Sequence, residues 1–402
     1  MFGASALKDI KATSERMIRI TSETREVIII GGGLVGLSIA YHLVERGVRD
    51  IVLLEREPMW AWGSSARSAG GVRLEFSHPS SVRFSQYGLE MFHSFEDLFG
   101  ISASFNPCGY LFVTRDSQRW NIMVELAAMQ RTLGVPVETL TPDDVRVRYR
   151  YIHMPDIVGA TFCGLDGVAD PGAVAYGWMR RAQTLGVEIR LNAQVTQITQ
   201  SGGRVTGVVT QDGTVIHAPV VVNAAGPQAR SVGALAGVAL PVDPYRRSVY
   251  VTDTFSGLPP EIPMTLEFEN TSYIRREGRS ILMGMSDPLE PSSENVETDQ
   301  ESLEKLVGTV LSWVPALEKA SIMRGWAGLY EVSPDGTAII GEADSLPGFF
   351  YAVGFSGHGF MHSPAAGRVV AELITGEAPF VDLTPYARER FQHQTTHETF
   401  VI

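Results

Sequence analysis

An α/β fold (α+β overall), in which an antiparallel sheet is inserted between pieces of a parallel one, is predicted by three observations. VIII (27–30) and DIVLLE (50–55) are unbroken apolar runs, the pattern of strands buried on both faces. Between them LVGLSIAYHLVER (34–46) has helical spacing and stops at Gly47, a C-cap residue, completing a βαβ unit of roughly 30 residues. Far downstream, 241–252 and 272–285 read as strands with no helix between them, the mark of an antiparallel sheet.

The remaining elements follow in order. A Ser/Gly/Arg-rich loop (63–73) precedes a helix over 80–99, a strand at GYLFVTR (109–115) and a helix from Arg119 to Leu133. Thr141, with Asp144 three places on, opens a capped helix. Asp170 and Pro171 suit the N-cap and first position of a helix over 170–185. VEIRLNAQVTQITQ, GRVTGVVTQ and GTVIHAPVVVNAAG read as three strand segments turning at 201–203 and 212–213, and 297–311 reads as an amphipathic helix. Near the end, GFSGHGFMHSPAAG (354–367) places three glycines around His358, ahead of a helix expected from about Ala365.

With 402 residues, 44% of them hydrophobic, the chain can bury two cores. Its net charge of −12 offers no basic face for nucleic acid. Cys108 and Cys163 are too few for a disulfide framework and suit a reducing, cytoplasmic setting. The spacing of Cys and His suggests no metal site, and no apolar run reaches the ~20 residues that span a bilayer. The first 20 residues lack the apolar core of a secretory signal.

The most specific local signal is Gly31-x-Gly33-x-x-Gly36, set between the first strand and its helix. Gly31 permits the turn, Gly33 lets the backbone approach a pyrophosphate, and Gly36 lets helix and strand pack. The free N–H groups from Leu34 and Val35 onward face the phosphates. Glu55, ending the second strand beside Arg56, can accept from both ribose hydroxyls and would repel a 2′-phosphate. The motif alone does not separate NAD from FAD.

Four further stretches bear on that choice. VVVNAAGPQA (220–229), with Ala225 and Gly226, resembles the second short motif of two-domain FAD enzymes. GFSGHGFMHSPAAG resembles the C-terminal flavin-binding segment of the D-amino-acid oxidase (DAO) superfamily. The best match is the sarcosine oxidase, dimethylglycine dehydrogenase and FAD-linked L-proline dehydrogenase β-subunit branch. WAGLYEVSPDGTAIIG (326–341) and SSARSAGGVR (64–73) are similar to segments of the same branch. The motifs run from residue 28 to 370, so the resemblance covers nearly the whole chain.

The resemblance implies a Rossmann-like FAD-binding domain with an inserted antiparallel-sheet substrate domain. Residues 25–105, 155–240 and 320–390 are expected in the first, 106–154 and 241–319 in the second, with 1–24 a flexible leader. It implies hydride transfer from the carbon beside an amine to flavin N5, giving an imine that hydrolyses. The substrate would be a small amino acid or a secondary or tertiary amine, and the protein a homo- or hetero-oligomer. Expected around FAD are Gly31, Gly33, Leu34, Val35, Gly36, Glu55 and Arg56; Ser64, Ser65, Arg67, Ser68, Ala69 and Gly70; Val195, Ala225, Gly226 and Gly328; and Gly357, His358, Gly359, Phe360 and Met361. The backbone N–H groups of Gly357–Met361 would stabilise charge developing on the flavin. Arg73 is expected to clamp a substrate carboxylate, Tyr273 and Tyr330 to face the substrate, and His358 to serve structure or contact flavin rather than act as base.

Departures from the branch sharpen these expectations. Met361 stands where monomeric sarcosine oxidases carry a lysine, so the clamp has one cation fewer. Gly328 replaces their flavin-linking cysteine, and the early loop, ARSAGG, lacks the histidine that links flavin in dimethylglycine dehydrogenases; FAD is therefore expected to be non-covalent. Leu282 and Ser286 fall where an oxygen-activating lysine and the histidine after it would stand, which favours a dehydrogenase over an oxidase. A 2-hydroxy-acid dehydrogenase and a flavoprotein subunit or assembly factor are the alternatives.

Overall fold

The structure, a computed structural model, describes residues 22–392 and 397–400. Its centre is a six-stranded sheet in the order Ile339–Glu342, Phe349–Val353, Val220–Asn223, Val27–Ile30, Ile51–Leu54, Glu188–Arg190. All neighbours are parallel except the first pair. Val27–Ile30 and Ile51–Leu54 are wholly buried, as their unbroken apolar runs require. Two helices on one face, Leu34–Glu45 and Gly359–Thr375, approach so closely that a Cβ on Gly367 would strike Ser38. Chain ends that lie more than 300 residues apart in sequence are thereby locked together.

An eight-stranded sheet stands beside this one, in the order Ile322–Val332, Asp243–Thr252, Ser280–Met285, Ser272–Glu277, Met264–Glu267, Tyr110–Thr114, Gly159–Cys163, Glu138–Leu140. It is antiparallel apart from the pair Met264–Glu267 and Tyr110–Thr114. Helix Gln300–Leu311 covers one face through Leu306 and Val310.

Several expectations shift. The single strand expected over 272–285 is a hairpin turning at Gly278. VEIRLNAQVTQITQ splits, Glu188–Arg190 joining the parallel sheet and Val195–Ser201 a four-stranded one. The expected divisions at 155 and 320 assign Gly159–Cys163 and Ile322–Val332 to the parallel domain; both lie in the eight-stranded sheet. Of the expected leader, Ser22–Thr24 forms an edge strand paired with Val215–His217, and residues 1–21 lie outside the described residues. The caps at Thr141 and Asp170 are present with their side-chain bonds.

Candidate functional site

A cavity of about 650 Å³ opens at the carboxyl ends of the parallel strands and runs to the face of the eight-stranded sheet. That location is where open α/β sheets bind ligands, and the volume lies within the usual range for small-molecule sites, ~300–1,000 Å³.

The end at the parallel sheet is built from backbone. Gly31 sits at φ +112°, and a Cβ there would strike the carbonyl of Ala224 at the end of the neighbouring strand. A Cβ on Gly36 would strike the Gly31 carbonyl, so this glycine serves packing and does not line the cavity. At Gly33 a Cβ would meet only Ser65 Oγ, at a tight 3.2 Å. The Leu34 N–H, expected among the free donors, instead donates to the same hydroxyl at 3.0 Å. Glu55 lines the cavity with one carboxylate oxygen accepting from the Gly32 N–H (2.7 Å) and the other from the Glu57 N–H (2.9 Å). Each oxygen keeps a lone pair for a further donor. Arg56 is turned to Glu57 at 3.1 Å.

The loop after it forms the side wall. Ser64 donates to the Leu329 carbonyl (2.6 Å), Ser68 accepts from the Gly70 N–H (3.1 Å), and the Ala69 carbonyl accepts from Arg275 (2.9 Å). Arg67 donates to the Trp62 and Gly63 carbonyls, fastening its own loop, and its Cβ leaves no room for a side chain at Gly328. Gly70 does not line the cavity; φ is +77° and a Cβ would strike the Ala169 carbonyl, so its requirement is steric. Val195, Ala225 and Gly226 complete the wall.

A second helix ends its N-terminus on the cavity. It begins at Gly359, six residues before the expected Ala365, and carries Pro364 inside it. The sequence pattern misleads because proline usually marks a helix start. Here the N–H that Pro364 lacks is replaced by Ser363 Oγ donating to the Phe360 carbonyl at 2.9 Å. The N–H groups of Gly359, Phe360 and Met361 are therefore the unpaired first turn of a 17-residue helix and carry its positive dipole end. His358 N–H, expected among the free donors, instead bonds the Phe355 carbonyl at 2.8 Å. Gly357, at φ +94°, lies against the Tyr330 ring, where a Cβ could not fit.

The four candidate catalytic side chains all line the cavity. Arg73, 2% exposed, does not present a free guanidinium. It donates to the Glu75 and Phe400 carbonyls and, at 2.9 Å, meets His358 Nε2. Burial and the neighbouring Arg73 charge push the His358 pKa well below its ordinary value, so the imidazole is neutral and its Nε2 lone pair accepts from Arg73. His362 is a buried core residue bonded to Ser85 Oγ at 2.9 Å, pushed down to about 3 by burial. Behind Arg73 lie two buried acids: burial raises Glu75 to about 7, and burial plus Glu75 raises Asp166. Tyr273 spreads over Gly284, and burial raises its pKa.

Sequence reasoning missed part of the site. Arg247, Met264, Leu266, Tyr110 and Glu331 also line it. Burial raises Glu331 to about 7, while its carboxylate accepts from the Gly354 N–H at 3.1 Å. Strand alternation could have flagged Arg247, since Tyr245, Arg247 and Val249 share one face of Asp243–Thr252.

The residues present fit FAD. Two helix N-termini aim into one cavity, Gly33 lines it without a side chain, and Glu55 offers acceptors to a ribose. The comparisons agree. The family profile "FAD dependent oxidoreductase" matches residues 26–373. FAD-dependent oxidoreductase domain-containing protein 1 of Xenopus laevis is 32% identical over 92% of this chain and 83% of its own. Human mitochondrial sarcosine dehydrogenase is 30% identical over 93% of this chain, which spans 42% of that protein. The crystal structure of L-proline dehydrogenase from P. horikoshii superposes with a TM-score of 0.86 at 28% identity, covering 94% of this chain and all of that one. No helix among the described residues is long and apolar enough to cross a membrane. The chain belongs to the DAO family of FAD-dependent oxidoreductases.

Proposed function

We propose that the protein is a dehydrogenase that oxidises the C–N bond of a small amino acid or amine, with FAD held non-covalently. The observation that carries this reading is the single cavity joining the dinucleotide motif to an aromatic wall on the eight-stranded sheet. Relatives named for sarcosine and 4-methylaminobutanoate, and a structural neighbour named for L-proline, support the choice of amine.

FAD supplies, when bound, the acceptor for the hydride leaving the carbon beside nitrogen. The chain's own residues set the conditions. The nitrogen lone pair closes the C=N bond, so the amine must react in its neutral form. His358 does not remove its proton, because its Nε2 already accepts from Arg73. Arg73 is thus a positioning residue that keeps the imidazole neutral and oriented. The N–H groups of Gly359–Met361 and the helix dipole offer positive potential where negative charge collects. Tyr273, Tyr330, Met264 and Leu266 exclude water from the reacting carbon until the imine has formed. Hydrolysis then gives a carbonyl compound with ammonia or the shortened amine, or, from a cyclic amine, one product carrying both groups.

Non-covalent attachment is supported by the lining, in which no cysteine and a single histidine, the engaged His358, stand among the described residues. The dehydrogenase reading is supported by Leu282, which is buried in the apolar core rather than cationic. The experiment is an anaerobic screen of the holoprotein against sarcosine, dimethylglycine, proline, D- and L-amino acids and 2-hydroxy acids. Bleaching of the flavin band by an amine is expected. Bleaching only by 2-hydroxy acids, or by nothing, would overturn the reading.

A further inference from the structure

We propose that Arg247, rather than Arg73, is the anion site of this cavity, and that it binds the carboxylate of the substrate. The proposal rests on the reading that the cavity takes a small amine substrate, and it narrows that substrate to amines bearing a carboxylate.

The argument starts from two adjacent arginines on one strand. Successive side chains point to opposite faces. Arg246 faces helix Gln300–Leu311, where Glu290 (2.9 Å) and Asp299 (2.6 Å) neutralise it. Arg247 faces the cavity. There it forms no ion pair among the described residues. Its Nη1 donates to the Arg246 carbonyl at 2.9 Å, and its buried Nε has no partner. Its guanidinium lies over the Tyr330 ring, 5.4 Å from the centroid, and over Tyr245 at 5.8 Å. Across the sheet it stands opposite Gly328, which has no side chain, and the ring it lies over is Tyr330, two residues along the same strand.

A half-buried guanidinium without a counter-ion is costly to maintain in a fold. The other arginines lining the cavity are all engaged: Arg56 with Glu57, Arg67 with loop carbonyls, Arg73 with carbonyls and His358. Arg247 alone combines an unpartnered donor, an aromatic platform and access to the cavity. The guanidinium lies over Tyr330 on the cavity wall, and an arginine fork suits a carboxylate, which accepts N–H···O bonds from it. Asp287 and Glu290 lie near enough to influence Arg247, but each is bonded elsewhere, to Lys305 and to Arg246. Tyr330 and Tyr273 stand on the same wall, so a carboxylate at Arg247 would bring the rest of a small molecule against those rings.

The test uses the FAD-loaded protein and a carboxylate that cannot be oxidised at the flavin. Pyrrole-2-carboxylate and its neutral amide are titrated while the flavin absorbance is followed. The carboxylate should perturb the spectrum, and Arg247→Met should raise its Kd ~100-fold or more, the loss expected when one partner of a desolvated charge pair is removed. Arg247→Lys should recover part of the affinity, and binding of the amide should not change. Arg247→Met should keep its FAD content and a Tm equal to or above that of the parent, since a half-buried charge without a counter-ion is removed. Unchanged carboxylate affinity in Arg247→Met would overturn the proposal. So would a parent protein that binds neither pyrrole-2-carboxylate nor acetate, or a Tm drop with equal loss of carboxylate and amide. Because the titration needs no turnover, it separates the two readings. A protein that binds the carboxylate through Arg247 but is bleached by no amine keeps the anion site and loses the amine reaction.

Discussion

The two ends of the cavity are built in different ways. At the parallel sheet, the wall is made by backbone: Gly31, Gly33, the Leu34 helix and a single carboxylate, Glu55, within a 25-residue stretch. At the eight-stranded sheet it is made by side chains, Arg247, Met264, Leu266, Tyr273 and Tyr330, drawn from four strands. The first kind tolerates little change, because a Cβ meets a main-chain carbonyl that has nowhere to go. The second kind can be altered residue by residue while the fold stands, which is where relatives with one fold can differ in substrate.

Gly31→Ala should break the backbone end outright. The φ of +112° and the Ala224 carbonyl both oppose a methyl group, so a loss of about 3 kcal/mol or more is expected, with FAD absent from the purified protein. Normal flavin content and Tm would show that this end is more pliable than its geometry.

Glu331 lies between the two regions and should respond to pH. Burial raises its carboxyl from the ordinary 4.5 to about 7. The folded protein therefore holds a proton that the unfolded chain has lost, and stability falls as pH rises from about 4.5 to about 7. Glu75, raised to about 7 as well, acts in the same window. Glu331→Gln should remove its share, up to about 3 kcal/mol at pH 8, and flatten the dependence of Tm on pH without abolishing it. An unchanged slope would contradict the burial argument.

Ser65→Ala is the smallest perturbation. It removes the hydroxyl that accepts from the Leu34 N–H and should cost about 1 kcal/mol in thermal unfolding.

The same contrast explains what the sequence disclosed. The βαβ unit, its glycines and Glu55 are contiguous, and each residue type answers a local steric or electrostatic demand. Glycine positions are legible even when their reason differs: Gly70 was expected beside the cofactor but is required by the Ala169 carbonyl. The start of the last helix was misplaced because Ser363 repairs the bond that Pro364 omits, a compensation invisible to local rules. Arg73 was legible as important but not as engaged, since its partners come from residues 75, 358 and 400. Alternation puts the two arginines of YRRSVY on opposite faces, but the segment does not say which of them finds a carboxylate of its own. Side chains gathered from separate strands become a site only when the sheet's register is known.

Oxidation of a C–N bond in this cavity is the chemistry on which every other role of these residues depends. Its most direct test is a single anaerobic turnover of the holoprotein with each amine of the screen, measuring flavin bleached and carbonyl compound released. One carbonyl per flavin reduced, with an amine as the only reductant supplied, is the predicted result. A flavin that no amine reduces, or one reduced without carbonyl release, would contradict it.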